Sequence, residues 1–395
     1  MRGVGDLLTR HILTIIPEDP PDGIGGVRSK ILGLLPALNG LIDVYVMAYG
    51  NRGRLSQDPG AVHSISQLPT RPRTLPRRTV ALLSRRFPSS AVFDNRSLTS
   101  ALLSHFDTIG APEVIHVEGT MLLHHGAAIR RLLRTLGAKS TLLASISDSH
   151  SLALRGRASL GSLARSHLAL SIERHSYVAF DCIHVVSVRD REWLNRKAPT
   201  LRVEVVPLGV TLPVLANDTP EPNSVGHLGS LGGLAGREVA RFLTSSWRLV
   251  HSSVPSAQLF LAGTAPAKSL EDIIDITPAV SYVGLVPDGD AFLQSCAIAI
   301  APSQQLAGMP SKALQAMGNC RAVAGGRVLS GIPGGRHGVH YLQGDTPADL
   351  AQAISRLLLE PQLRFAIANN GRLLAERLSW EGAAEVYLRS VVPPL

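Results

Sequence analysis

An α/β chain of two doubly wound parallel sheets is what the sequence predicts, on three observations. Short apolar runs alternate with longer helical patterns almost throughout, the signature of a parallel sheet with helices on both faces. The pattern pauses at a polar, proline-containing stretch near residues 216–224 and then restarts. The chain has 395 residues, 45% of them hydrophobic, long enough for two domains with a core each.

The first half reads strand by strand. Residues 12–16, ILTII, form a buried run, followed by a Pro/Gly loop and a helix over 27–38. Strands follow at 44–48, 114–118 and 141–146, each with a helix behind it, and late strands at 183–187 and 203–206. Residues 216–224 read as an interdomain linker. The second series comprises strands at 225–229, 257–262, 280–286, 297–301 and 321–324, with helices near 237–251, 312–317 and 348–359. The last segment, 379–392, is amphipathic and reads as a helix. The expected domains are 1–210, 211–378 and a closing helix 379–395. Two such halves put a ligand cleft at the carboxyl ends of the strands.

Composition narrows the classes. Net charge is +9, and the basic excess is arginine: the lysines are Lys30, Lys139, Lys197, Lys268 and Lys312 alone. Such replacement points to a GC-rich genome more than to a function, and a basic surface suits phosphates, headgroups or nucleic acid alike. Aromatic residues make up 4% and do not interleave with basic ones, which argues against single-strand nucleic-acid binding. Cys182, Cys296 and Cys320 are too scattered for a disulfide framework or a CxxC metal site, and fit a reducing cytosol. No apolar run reaches the ~18–20 residues of a membrane span. The first residues lack the basic-then-apolar layout of a secretory signal, so a cytoplasmic location is expected.

The stretch from Arg71 to Arg86, RPRTLPRRTVALLSRR, carries six arginines in sixteen positions. It reads either as a basic arm for an anionic membrane or acidic acceptor, or as a solvated loop and helix face. The first reading makes the protein peripheral at the inner membrane surface.

Three glycine-bearing turns could carry chemistry. Gly23-Ile-Gly25-Gly26 follows the first strand and opens a helix, where free amides favour an anion. Its spacing is not that of a nicotinamide site. Gly229-Ser-Leu-Gly232-Gly233 repeats the arrangement in the second half, with Arg237 as a phosphate partner. A plain tight turn explains either equally well. The third segment is the most specific: Pro302-Ser-Gln-Gln-Leu-Ala-Gly308-Met309-Pro310-Ser311-Lys312-Ala-Leu-Gln315-Ala-Met317-Gly318. Here a buried strand ends, a loop follows, and a helix opens near Pro310 and stops at Gly318. Amides near Met309–Lys312 would face an anion, Lys312 would neutralise it, and Gln315, one turn on, would reach ribose hydroxyls. A well-capped core helix with an exposed lysine is the plainer alternative.

In this order with the other segments, the sequence resembles the retaining nucleotide-sugar glycosyltransferases called glycosyl transferases group 1, with the GT-B fold of two Rossmann-like domains. The resemblance extends through Asp148-Ser-His150-Ser151 and its arginine-rich helix, Glu173-Arg174, Asp181, Val185-Val-Ser187 and Val206-Pro-Leu-Gly-Val210. It continues through Gly284-Leu-Val-Pro-Asp288, the Gly308…Lys312…Gln315 segment, and Gly371-Arg372 before Ser379-Trp380.

The resemblance implies a sugar transfer from a nucleoside diphosphate donor, UDP before GDP or dTDP, to an acceptor hydroxyl with retention. The product would be a secondary metabolite or cell-envelope glycan. The base would lie near Val286 and Pro287, and the diphosphate against Gly26, Gly229 and the amides around Met309–Lys312, in the donor-binding segment Gly308, Met309, Pro310, Ser311 and Lys312. The acceptor would enter near Glu118, Asp148 and His150. Lys312, Arg237 and Asp148 are the catalytic candidates. No cofactor or metal is implied beyond the donor itself, because leaving-group charge is met electrostatically and the departing phosphate takes the acceptor proton.

There are departures. The two family glutamates fall on Ala307 and Gln315, and the usual Arg/Lys pair beyond Gly229 is reduced to Arg237. Two rivals follow: a nucleotide-sugar 2-epimerase of the same fold, and a catalytically silent partner protein. His116, Glu118, His124 and His125 form no HExxH metal motif and read as acceptor lining or ordinary strand-end residues. Ser303 lacks a GxSxG context and is a poor nucleophile.

Overall fold

The computed structural model describes residues 11–18, 26–58, 60–155, 160–215, 220–231, 233–264, 274 and 277–391. The chain divides into two compact units. One comprises Met1–Gly209 with Trp380–Leu395, the other Val210–Ser379.

The first unit holds a seven-stranded sheet of β1 (His11–Ile16), β2 (Asp43–Tyr49), β3 (Ser64–Leu68), β4 (Val114–Glu118), β5 (Thr141–Ile146), β6 (Cys182–Val185) and β7 (Val203–Val205). Their order is β3-β2-β1-β4-β5-β6-β7, with every pairing parallel. Strands covered on both faces read as unbroken apolar runs, and Ile12, Leu13, Ile15 and Ile16 of β1 are all buried. The edge strand β3, SISQL, was not anticipated. It is mostly exposed and carries too little apolar character to stand out.

The helix Trp380–Val391 packs into this core through Ala383, Ala384 and Tyr387. Trp380 lies where two glycines leave room for it. A Cβ on Gly33 would come 2.1 Å from its indole, and one on Gly209 2.5 Å.

The second unit holds β8 (Glu221–Leu228), β9 (Gln258–Ala262), β10 (Val280–Gly284), β11 (Cys296–Ala301), β12 (Ala322–Gly325) and β13 (Leu342–Gln343). Their order is β10-β9-β8-β11-β12-β13, again parallel. The first strand begins at Glu221, inside the stretch read as linker, because Glu221 already pairs with Cys296. Trp247, Leu243 and Val250 of the long helix Gly233–Ser253 pack with Ile354 and Leu357 of Pro347–Leu359 on this core. Each such fully buried aliphatic side chain contributes ~1.5–3 kcal/mol. A helix that the apolar pattern did not reveal, Pro361–Arg377, carries the Gly371-Arg372 pair.

Candidate functional site

Sheet order locates the site in the second unit. Strand β8 has β9 on one side and β11 on the other, so connections leave in opposite directions. The crevice outside the carboxyl ends of such strands is where open α/β sheets bind ligands. The turn after β8 and the loop after β11 flank it.

The turn after β8 is tightly built. Gly229 N–H donates to the Ala262 carbonyl at 2.9 Å, and Gly263 N–H to the Gly284 carbonyl at 2.8 Å. Gly263 has φ +142, and a Cβ there would stand 1.8 Å from the Gly229 carbonyl oxygen, so only glycine lets the β8 and β9 turns approach this closely. Ser230 and Thr264 hydroxyls bridge the turns at 2.6 Å. The side chain of Arg237, on the helix Gly233–Ser253, lies outside the described residues, as does Gly232.

After β11 the loop runs from Pro302 to Pro310. Gly308 takes φ +76 and is buried, with Ala307 and Met309 buried beside it. The loop then enters the helix Ser311–Gly318 through Pro310, and no side chain caps this helix. The first backbone bond to the helix start is Leu314 N–H to the Pro310 carbonyl. The amides of Ser311, Lys312 and Ala313 have no partner among the described residues, which leaves donors and a positive dipole end for an anion.

Lys312 Nζ donates to Gln315 Oε1 at 3.0 Å on the same helix. Gln315 Nε2 donates in turn to Asp290 Oδ1 at 2.8 Å, and Asn319 Nδ2 reaches the same oxygen at 2.7 Å. Burial lowers the Lys312 pKa from its ordinary value, and the Asp290 charge partly opposes this. Asp290 lies in the first turn of Gly289–Ser295, a helix capped by Asp288, whose carboxylate accepts from the Asp290 and Ala291 amides. Sequence reasoning missed Asp290. Its signal was the second acid after a capping Asp288, directly behind a strand. Val286 and Pro287 lie in the turn between β10 and that helix, half-buried and exposed respectively.

The candidates in the first unit are not gathered in this way. Gly26 opens the helix Gly26–Asn39, but Gly23 and Gly25 lie outside the described residues. Glu118, expected at the acceptor, is 2% exposed at the end of β4. Its two oxygens each lie 3.0 Å from Lys30 Nζ, and His116 Nε2 lies 3.2 Å from one of them. Lys30 also donates to Ser145 Oγ at 2.6 Å. Burial alone would raise the Glu118 pKa, but the Lys30 ammonium and the His116 contact outweigh it and hold it at about 2. The carboxylate is thus committed inside the fold. Lys30 is a second residue missed in the sequence, where a lone lysine in an apolar helix was its only signal.

Asp148 and His150 follow β5, half-buried. The ring of His150 lies tilted against that of Phe87, with centroids 4.9 Å apart. Around them Ser149 and Ser151 hydroxyls donate to the buried Glu173 carboxylate, Ser151 at 2.6 Å, and Trp193 Nε1–H donates to Ser151 Oγ at 2.8 Å. Burial pushes the Glu173 pKa up to about 7, with the Ser151 and Ser149 hydrogen bonds working the other way. His124 and His125 are structural. His124 contacts the Met121 and Phe93 carbonyls, and His125 contacts Tyr49 Oη at 3.0 Å. Among the described residues no cluster of three or more His, Cys, Asp or Glu could hold a metal, and no helix is long and apolar enough to cross a membrane.

Residues 223–360, all in the second unit, match the family described as Glycosyl transferases group 1. No curated protein sequence matches the chain. Among solved structures, sucrose-phosphate synthase from Thermosynechococcus elongatus superposes with TM-score 0.73 at 18% identity, over 96% of this chain and 98% of that one. HepE of Anabaena, solved in complex with UDP, gives TM-score 0.67 at 14% identity, over 96% and 99%. The trehalose-6-phosphate phosphatase N-terminal domain of Candida albicans gives 0.69 at 12%, over 99% and 98%. These likenesses establish the fold over both units, which is GT-B.

Proposed function

We propose that the protein is a glycosyltransferase that moves a sugar from a nucleoside diphosphate donor, UDP before others, to an acceptor hydroxyl with retention. The observation that carries this reading is the uncapped helix Ser311–Gly318, with Lys312 at its open end beside the turn of a group 1 domain. The complexes of HepE with UDP and with UDP and glucose support a uridine donor. In this reading the amides of Ser311 and Lys312 and the Lys312 ammonium stabilise the leaving diphosphate as its charge develops. Arg237 adds to that field. Asp148 and His150 hold the acceptor, and the departing phosphate takes the acceptor proton, so no protein base is required.

Among the described residues Lys312 has no carboxylate as its direct partner, only the amide oxygen of Gln315. A phosphate oxygen would displace that contact without breaking an ion pair. Such a cation is held near its place before the ligand arrives, and less ordering is needed on binding. The 2-epimerase reading is less well supported, since it needs acid and base groups converging on the sugar and Glu118 is bound within the interior.

The test is turnover. The protein is incubated with a panel of UDP-, GDP- and dTDP-sugars, with and without alcohol acceptors of glycan and polyphenol type. Release of free nucleoside diphosphate that depends on acceptor, with one product anomer matching the donor, is expected. Conversion of the donor to its epimer without acceptor would overturn the proposal.

A further inference from the structure

Between β3 and the helix Asn95–Thr108 the chain makes an excursion that the reading of the donor site does not use. It is tied at its base. Thr70 pairs with Phe93 in an antiparallel bridge, Arg71 N–H donates to the Val92 carbonyl at 2.8 Å, and Arg71 pairs with Asp94 at 2.9 Å. On this base stands the helix Leu75–Leu83, of which Ala81 alone is buried.

The helix is inverted relative to an ordinary surface helix. With about 100° between residues, Leu82, Leu75, Thr79, Leu83, Pro76 and Val80 fall on one arc of roughly 160°. Ala81 points the opposite way and meets the protein. The apolar arc is therefore turned outward: Leu75 is 75% exposed, Val80 62% and Leu83 80%. Arg77 and Arg78 fall on either edge of that arc. Scattered exposed apolar residues need no explanation, but a continuous outward arc does.

The charge pattern says what covers it. No acidic residue occurs between Arg71 and Arg86. Arg73, Arg77, Arg78 and Arg85 have no acidic partner among the described residues. Leucines between unpaired arginines suit the boundary of headgroups and acyl chains, where apolar side chains sink in and guanidinium groups meet phosphates. An apolar arc on a second protein copy would bring these arginines against each other.

A further observation concerns the helix end. Arg86 N–H donates to the Ala81 carbonyl and Arg85 N–H to that of Leu82, the paired bonds of a Schellman cap. Arg85 occupies the left-handed position with φ +51, where glycine would sit without strain.

We propose that the helix Leu75–Leu83 with its flanking arginines docks the protein on an anionic lipid bilayer. The excursion also borders the expected acceptor residues, through Phe87 on His150. The proposal stands independently of the donor site.

The test is co-sedimentation of the full chain with vesicles of phosphatidylcholine alone and mixed with phosphatidylglycerol. Binding is expected to the mixed vesicles only, and to fall as salt rises. The Leu75→Ser/Leu83→Ser variant, altered only at exposed positions, keeps its melting temperature and binds at least about ten-fold more weakly. Arg85→Gly melts at the same temperature or higher and binds about five-fold more weakly, the loss expected for one headgroup-facing charge. Four results would overturn the proposal. They are equal binding to both vesicle types, no binding to either, binding indifferent to the leucine changes and matched by soluble polyglutamate, and a dimer in lipid-free solution that the leucine changes dissociate.

Discussion

Gln315 and Asp290 share a hydrogen bond of 2.8 Å that joins the anion-facing helix of the second unit to the helix before β11. The resemblance places a family glutamate at position 315. Here the side chain is neutral, and the nearest carboxylate stands one residue beyond it on another helix. The charge balance around Lys312 is thus kept by a different residue.

The pair should respond to charge in a defined way. Gln315→Glu puts a second carboxylate against Asp290 Oδ1, and two like charges at that separation repel. Donor affinity and stability should both fall, by ~1–2 kcal/mol in stability. Adding Asp290→Asn to Gln315→Glu restores one acid and one amide in swapped places, and should recover most of the loss. A double-mutant cycle read by thermal melting checks this; additivity of the two changes would count against the coupling.

The Lys30–Glu118 pair gives an acid-side prediction. Because the folded pKa of Glu118 lies below its unfolded value, its stabilisation is present above the ordinary carboxylate range. It is lost as pH falls through about 2. Lys30→Met should destabilise by ~3–5 kcal/mol, since it leaves a buried charge without its partner, whereas Lys30→Met with Glu118→Leu should be far milder. The double variant should also lose this part of the acid limb in melting experiments against pH.

Glu173 acts in the opposite sense. Its folded pKa of about 7 lies above the unfolded value, so its contribution is full below the ordinary carboxylate range and declines as pH rises through about 7. Glu173→Gln, which keeps the shape and a neutral group, should flatten the stability profile over that interval. An unchanged slope in chemical denaturation at several pH values would count against the assignment.

Trp380 and its two glycines predict a packing effect. Gly33→Ala or Gly209→Ala drives a methyl group into the indole and should cost ~1–3 kcal/mol. Joined to Trp380→Ala, either glycine change should lose most of its further cost, because the obstructing ring is gone. Melting temperatures of the four combinations test this.

The fold was legible because buried parallel strands are continuous apolar runs, as in ILTII of β1 and CAIAIA of β11. The edge strand β3 and the helix Pro361–Arg377 were not, since their apolar faces are weak or irregular. In the site, Lys312 and Gln315 could be read because they share one helix turn with a loop-then-helix signature. Asp290 could not, because its link to Gln315 spans 25 positions of sequence. Glu118 shows the converse: a polar residue at a strand end looks open in sequence, and only the position of Lys30 across the sheet reveals that it is enclosed.

Titration of UDP into the protein and into Lys312→Ala, followed by calorimetry, tests the account most directly. A charge-assisted contact to phosphate contributes ~1.5–3 kcal/mol, so the wild-type chain should bind UDP and the variant should bind ~10–100-fold more weakly at unchanged fold. Equal affinity in both proteins, or no heat from UDP, GDP or dTDP with the wild type, would contradict it.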